Sequence, residues 1–261
     1  MSRFGLARRL SKLGVCSRTE AARLIVAGRV AVDGKRCTDP EFPTHAGVRL
    51  QVDGRDVVAP AYRYLALNKP RGLLTTASDE QGRDTIYSCL PTDAWLAPVG
   101  RLDKASEGLL LLTNDTGWSA WIASPASGVR KTYHVKIDRA PDSAMVESLR
   151  EGLTVDGETL AAVDVSILRA EARSGWLQFV LDEGRNRHIR RMLAALDIGV
   201  LRLVRVAIGG LLLGDLAKGQ WRELTLAELA ACGLAVNPDA PIVGNAKGTP
   251  SAAPRRAPVA H

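Results

Sequence analysis

Four consecutive leucines, Leu109 to Leu112, constrain this chain more than any other feature. A strand with no alternation of apolar and polar residues has no face to give to water, so it must be buried in a covered sheet. The run emerges from Gly100-Arg-Leu-Asp103-Lys-Ala-Ser-Glu-Gly108 and closes on Thr113-Asn-Asp115. The polar, glycine-bounded loop sets one carboxylate, Asp103, between two cations, Arg101 and Lys104, just before a rigid element. A reactive group is well placed there. A loop aspartate is more often a turn former or a helix cap, and the residues alone leave both readings open.

The chain has 261 residues, enough for one substantial catalytic domain and a small accessory one. A hydrophobic share of 46% with 24% charged residues excludes disorder of the whole chain. No apolar run approaches the roughly 20 residues of a membrane helix, and no apolar signal core follows Met1, so a cytoplasmic protein is expected. Cys16, Cys37, Cys89 and Cys232 lack C-x-x-C spacing, and His45, His134, His188 and His261 show no ligand spacing. With no glycine-rich phosphate loop or dinucleotide fingerprint either, the expectation is no metal and no cofactor.

The formal charge is +7, and its placement says more than its size. Between Met1 and Arg36 nine Lys/Arg stand against two acids, so that segment alone carries +7 and the remainder sums to zero. A basic excess so concentrated suits a phosphate backbone, since each neutralised phosphate releases counterions; a solvated charged face is the plainer alternative. In the same segment Leu6, Leu10 and Leu13 give helical spacing before Gly14, and Ser17-Arg-Thr-Glu20 is a capping box opening a second helix that stops at Gly28. Two short strands then reach Val32-Asp33-Gly34 and Val52-Asp53-Gly54 turns. The expected domains are 1–58 and 63–233, joined by a linker at 59–62 and followed by a disordered tail at 237–261. The larger domain reads as α+β, a mixed, largely antiparallel sheet with two helices, because no regular βαβ alternation appears.

Two further segments carry chemistry. Lys131 to Ile137 alternates as a strand that puts Lys131, Tyr133, Val135 and Ile137 on one face. Glu183-Gly-Arg185-Asn-Arg187-His-Ile-Arg190-Arg191 opens a helix whose apolar side is Ile189, Met192, Leu193 and Leu196. Its arginines, with no acid between them, would repel one another unless an anion lies nearby.

Residues 4 to 54, through L-A-R-R-L-S-K-L-G-V-C-S-R-T-E-A-A-R-L-I-V-A-G-R-V-A-V-D-G, resemble the S-four-type RNA-binding domain, a small α/β module. The resemblance makes Arg8, Arg9, Lys12, Arg18 and Arg23 candidate phosphate contacts. G-R-L-D-x-x-S-E-G-L-L-L-L-T-N-D, together with L-N-K-P-R-G at Leu67 to Gly72, is similar to the signature of the RsuA-like pseudouridine synthases. Membership would make Asp103 the nucleophile or base, set Tyr133 against the target base, and pair Arg190 with Asp103. Lys69, Arg71, Arg101, Lys131, Arg187 and Arg191 become candidate RNA contacts, while His188 departs from the family pattern and has no assigned role. Leu203 to Gly210 and Gly219 to Leu224 also match, in what read as structural segments.

The implied activity is conversion of specific uridines in ribosomal RNA to pseudouridine by a monomer acting on a structured stem-loop or an assembly intermediate. Arg185-Asn-Arg187 and Gly219-Gln-Trp-Arg222 resemble large-subunit members more than small-subunit ones. A non-catalytic RNA-binding or ribosome-assembly protein is a rival that needs none of Asp103, Tyr133 and Arg190 together, and a glycosidase would call for two carboxylates.

Overall fold

The computed structural model describes residues 4–233 apart from 46, 59, 60, 78, 80 and 92–94. The tail expected to be disordered, and part of the expected linker, fall outside them. The N-terminal segment folds as helices α1 (Leu6–Lys12) and α2 (Arg18–Val26), followed by a four-stranded sheet of β1 (Val30–Val32), β2 (Lys35–Cys37), β3 (Leu50–Val52) and β4 (Arg55–Asp56). Gly14 ends the first helical turn region at φ 70°. The Ser17 hydroxyl accepts from the Glu20 amide at 3.1 Å, but the Glu20 carboxylate lies 3.5 Å from Arg23, so only half of the expected capping box forms. Asp33-Gly34 and Asp53-Gly54 all take positive φ, which matches the right-handed twist of the hairpins they close. Leu6, Leu10, Ala21, Ile25, Val30 and Leu50 form a core belonging to this segment.

The rest of the chain is built on a mixed sheet. Its elements are β5 (Tyr64–Lys69), β6 (Ala97–Val99), β7 (Glu107–Thr113), α3 (Thr116–Ala123), β8 (Lys131–Ile137), α4 (Ser143–Glu151), β9 (Leu153–Val155), β10 (Glu158–Leu160), β11 (Asp164–Glu171), β12 (Ser174–Leu181), α5 (His188–Ala195), β13 (Val200–Ile208), β14 (Leu211–Leu212), β15 (Trp221–Glu223) and α6 (Leu226–Ala231). The strands run β11-β12-β8-β13-β7-β5-β15, with β6 also on β7 and β14 on β13, while β9 and β10 form a separate hairpin. Among these pairings only β7 with β13 is parallel. Four helices accompany the sheet among the described residues where two were expected. The additional ones are short, and local caps carry them: Asp115 accepts from the Gly117 and Trp118 amides, and Thr225 with Glu228 forms a complete capping box.

The four leucines split between two layers. Leu109 and Leu111 pack with α3 and α6 residues such as Trp118, Ile122 and Leu229, whereas Leu110 and Leu112 pack with Ile86, Leu96 and Leu102. All four have no exposed surface, and burial of each contributes roughly 1.5–3 kcal/mol. Such a strand is rigid to its first residue, which steadies the loop that leads into it. A third layer, between α4, α5 and the β8-β11-β12 face, holds Phe179, Leu177, Met192 and Leu193. No helix among the described residues is long and apolar enough to cross a membrane.

Candidate active site

The loop from Gly100 to Ser106 is held from below by the segment that ends β5. Thr75 donates its hydroxyl to the Leu102 carbonyl at 2.7 Å, and the Gly72 amide donates to the Lys104 carbonyl at 2.8 Å. Lys69 is completely buried, and its ammonium donates to the carbonyls of Ser106 (2.9 Å), Pro70 (3.1 Å) and Asp103 (3.2 Å). Desolvation pushes the Lys69 pKa down to about 8, although Asp103 and Glu107 pull the other way. The expectation that Lys69 touches RNA is therefore corrected: its three donors are spent under the loop, and no surface remains for a phosphate. Arg71, two residues on, is exposed.

Above this support the Asp103 side chain is 35% exposed and faces a cleft of about 570 Å³ that Tyr133, Lys131, Arg101 and Arg205 also line. A narrower recess shared by Asp103 and Tyr133 runs toward the start of α5, past His188 and Arg190. Tyr133 is placed by the sheet, opposite Phe179 on β12 and Arg205 on β13. Lys131 lies two residues before it on the same face. Its pKa is lowered by burial first and by Arg205 second.

The arginines of α5 do not form a single basic face. Arg187, in the left-handed region at φ 51°, caps the helix and brings Nη1 to 3.9 Å from Asp103 Oδ2. Arg190, one turn later, donates instead to the Ala105 carbonyl at 3.3 Å, so the expected Arg190–Asp103 ion pair is not formed. The Arg190 guanidinium is partly buried. Desolvation and then Arg187 act against its charge, while Asp103 favours it. Arg191 points the other way and pairs with Glu158 on the β9-β10 hairpin at 2.6 Å, and Arg185 lies 2.8 Å from Glu183 and 3.3 Å from Glu158. The anions that relieve this cluster are thus the protein's own, and Arg191, a candidate RNA contact, is engaged by one of them. His188 is buried with neither nitrogen hydrogen-bonded among the described residues, and desolvation lowers its pKa.

Of the N-terminal candidates, Arg8, Arg18 and Arg23 are exposed. Arg8 and Lys12 lie over the Phe4 ring at 5.1 and 3.8 Å, while Arg18 pairs with Glu41 at 3.1 Å. Within Leu203 to Gly210, read from the sequence as structural, Arg205 is buried on the cleft wall. Its signal was present in the alternation of Leu203, Arg205 and Ala207 on one face, where a cation interrupts an apolar row.

The profile of the family described as RNA pseudouridylate synthase matches residues 63–195, and that of the S4 domain matches residues 5–50. The chain belongs to the RNA pseudouridylate synthase family. An uncharacterised RNA pseudouridine synthase of Rickettsia prowazekii is 34% identical over 221 residues, spanning 84% of this chain and 94% of that protein. The ribosomal large subunit pseudouridine synthase B of Haemophilus influenzae is 34% identical over 227 residues, 83% of this chain and 63% of that one. Among solved structures, a pseudouridylate synthase crystal structure aligns with a TM-score of 0.63 at 26% identity, covering 88% of this chain and 99% of that one. The chain is accordingly an RNA pseudouridine synthase: an α+β enzyme with an N-terminal S4 region.

Proposed function

We propose that this enzyme isomerises uridine in ribosomal RNA, that its target lies in large-subunit RNA, and that Asp103 is its catalytic carboxylate. The observation that carries the site assignment is the meeting of Asp103 and Tyr133 on one cleft wall, from a loop and a strand far apart in sequence. The name of the Haemophilus influenzae relative supports the ribosomal substrate, and the Arg185-Asn-Arg187 and Gly219 to Arg222 segments support the large subunit.

The reaction breaks the N1–C1′ bond of uridine, turns the base and joins C5 to C1′, with no redox change. A base within RNA structure must first leave its stack, at a cost of a few kcal/mol that pocket contacts offset. Asp103 acts on the ribose, either attacking C1′ or removing the 2′ proton. Tyr133 stacks on the flipped base and assists loss of the C5 proton. Arg187 is the nearest cation to the carboxylate, with Arg190 behind the loop. Arg71, Arg101 and Lys131 grip the displaced backbone, and Arg8, Lys12 and Arg23 contact phosphate from the S4 region.

Sequencing ribosomal RNA from cells lacking this protein tests the substrate. One missing pseudouridine in large-subunit RNA, restored by the purified enzyme, is the expected result; an unchanged large-subunit map with a lost small-subunit site would reassign it.

A further inference from the structure

The guanidinium of Arg205 is the strongest unexplained group in the cleft. Arg205 is only 5% exposed, and its Nε donates to the Leu109 carbonyl at 2.7 Å. Its Nη2 makes no hydrogen bond among the described residues, although it is fully enclosed. Burying a permanent cation with unused donors is costly unless a ligand meets them. The surroundings sharpen the point. The neighbouring cation on the same cleft wall is Lys131, so the protein concentrates positive charge there, and Asp103 is the carboxylate among the cleft residues.

The backbone is also shaped to put Arg205 there. Gly108, at φ 104°, lies against it where β7 and β13 run parallel, and a Cβ on that glycine would stand 2.3 Å from the Arg205 carbonyl oxygen. Across the other edge Arg205 pairs directly with Tyr133. A group stacked on Tyr133 would therefore have the Arg205 side chain at its rim.

We propose that the Arg205 guanidinium donates to a carbonyl oxygen, O2 or O4, of the flipped uracil, and that it stabilises the base as an anion while it is detached from the sugar. The inference rests on the reading of Asp103 and Tyr133 as the reaction centre. When N1–C1′ breaks, its electron pair goes to N1 and spreads onto O2 and O4. C1′ is meanwhile bonded to Asp103 or joined by a double bond to C2′ after loss of the 2′ proton. The base then turns and C5 bonds to C1′ as the Asp103–C1′ bond breaks or, on the other route, as C2′ takes back its proton from Asp103; the C5 proton leaves and N1 gains one. Negative charge on the two carbonyl oxygens exists only between the first and last of these events. A buried donor aimed at it therefore favours the intermediate over the bound substrate. A backbone phosphate fits the position less well, since its charge is permanent and it would have to enter the cleft floor.

The test is single-turnover conversion of the target RNA at saturating enzyme, with RNA affinity measured separately. Arg205→Ala should lower the rate by about a hundredfold, in line with removal of one oxyanion donor, and leave affinity within about threefold. Free guanidinium should restore part of the lost rate, which it could not do for a merely structural defect. RNA carrying 2-thiouridine or 4-thiouridine at the target, tested on the wild type, keeps the question open to measurement if the variant fails to fold. Sulfur accepts hydrogen bonds poorly, so one of the two should slow the reaction. An unchanged rate for Arg205→Ala, a loss confined to affinity, a lost rate that guanidinium does not restore, or no slowing with either thio base would each overturn the proposal. If Asp103→Asn, run in parallel, converts RNA as fast as the wild type, the underlying reading of the cleft fails with it.

Discussion

At the residue scale, the site depends on which cation serves which oxygen. Arg187 and Asp103 are both substantially exposed and 3.9 Å apart, and such a pair contributes at most about 1 kcal/mol. Arg187→Met should therefore leave the single-turnover rate within about tenfold of wild type. Arg190→Met should cost more than that, because its charge is less screened by water and its hydrogen bond to Ala105 steadies the loop two residues from Asp103. The opposite order would make Arg187 the functional partner of the carboxylate. Lys69 gives a second prediction. Its pKa falls from the ordinary 10.5 to about 8 in the fold, so between those values the unfolded chain binds more protons than the folded one. Stability from this group must then rise with pH across that window. Urea denaturation of wild type and Lys69→Met should show the wild type gaining on the variant as pH rises from 8 toward 10. A constant difference would mean that Lys69 keeps its ordinary pKa.

At the element scale, the parallel pairing of β7 with β13 is the least forgiving place in the sheet. Gly108→Ala would combine a positive φ with a backbone clash, a combination we expect to cost more than about 2 kcal/mol, read as a lower urea midpoint. A midpoint within error of wild type would show that the strands can separate there. Much of this architecture is legible in the amino-acid sequence. The leucine run announces a strand with no wet face, the Asp-Gly turns announce hairpins, and the 3.6-residue pattern of Ile189, Met192 and Leu193 announces α5. What escapes are features that depend on partners distant in the chain. Lys69 looks like a surface lysine until the loop of Asp103 folds over it, and Arg191 looks free until the β9-β10 hairpin brings Glu158 against it. Similarly, Arg205 comes to line the cleft only because β13 lies between β8 and β7.

At the scale of the whole molecule there are two regions: an N-terminal segment that carries the formal charge excess, and a sheet whose cleft holds Asp103, the carboxylate proposed to react. If the first binds phosphate, replacing Arg8, Lys12 and Arg23 with Gln should flatten the dependence of log affinity on log salt by roughly 0.7–0.9 for each phosphate no longer neutralised, with the rate at saturating RNA little changed. An unchanged slope would leave RNA binding to the cleft alone. The carboxylate is legible in the sequence through resemblance rather than through chemistry, because an aspartate in a polar loop has many ordinary uses; only its placement beside Tyr133 gives the assignment a geometric basis. Following pseudouridine formation in a single turnover with wild type and Asp103→Asn, at equal and saturating RNA occupancy, tests the catalytic role of this carboxylate. The amide keeps the shape but is neither a nucleophile nor a base. The wild type should convert the RNA fully and the variant not at all while RNA affinity is retained; turnover by Asp103→Asn within about a hundredfold of wild type would mean that Asp103 is not the catalytic carboxylate.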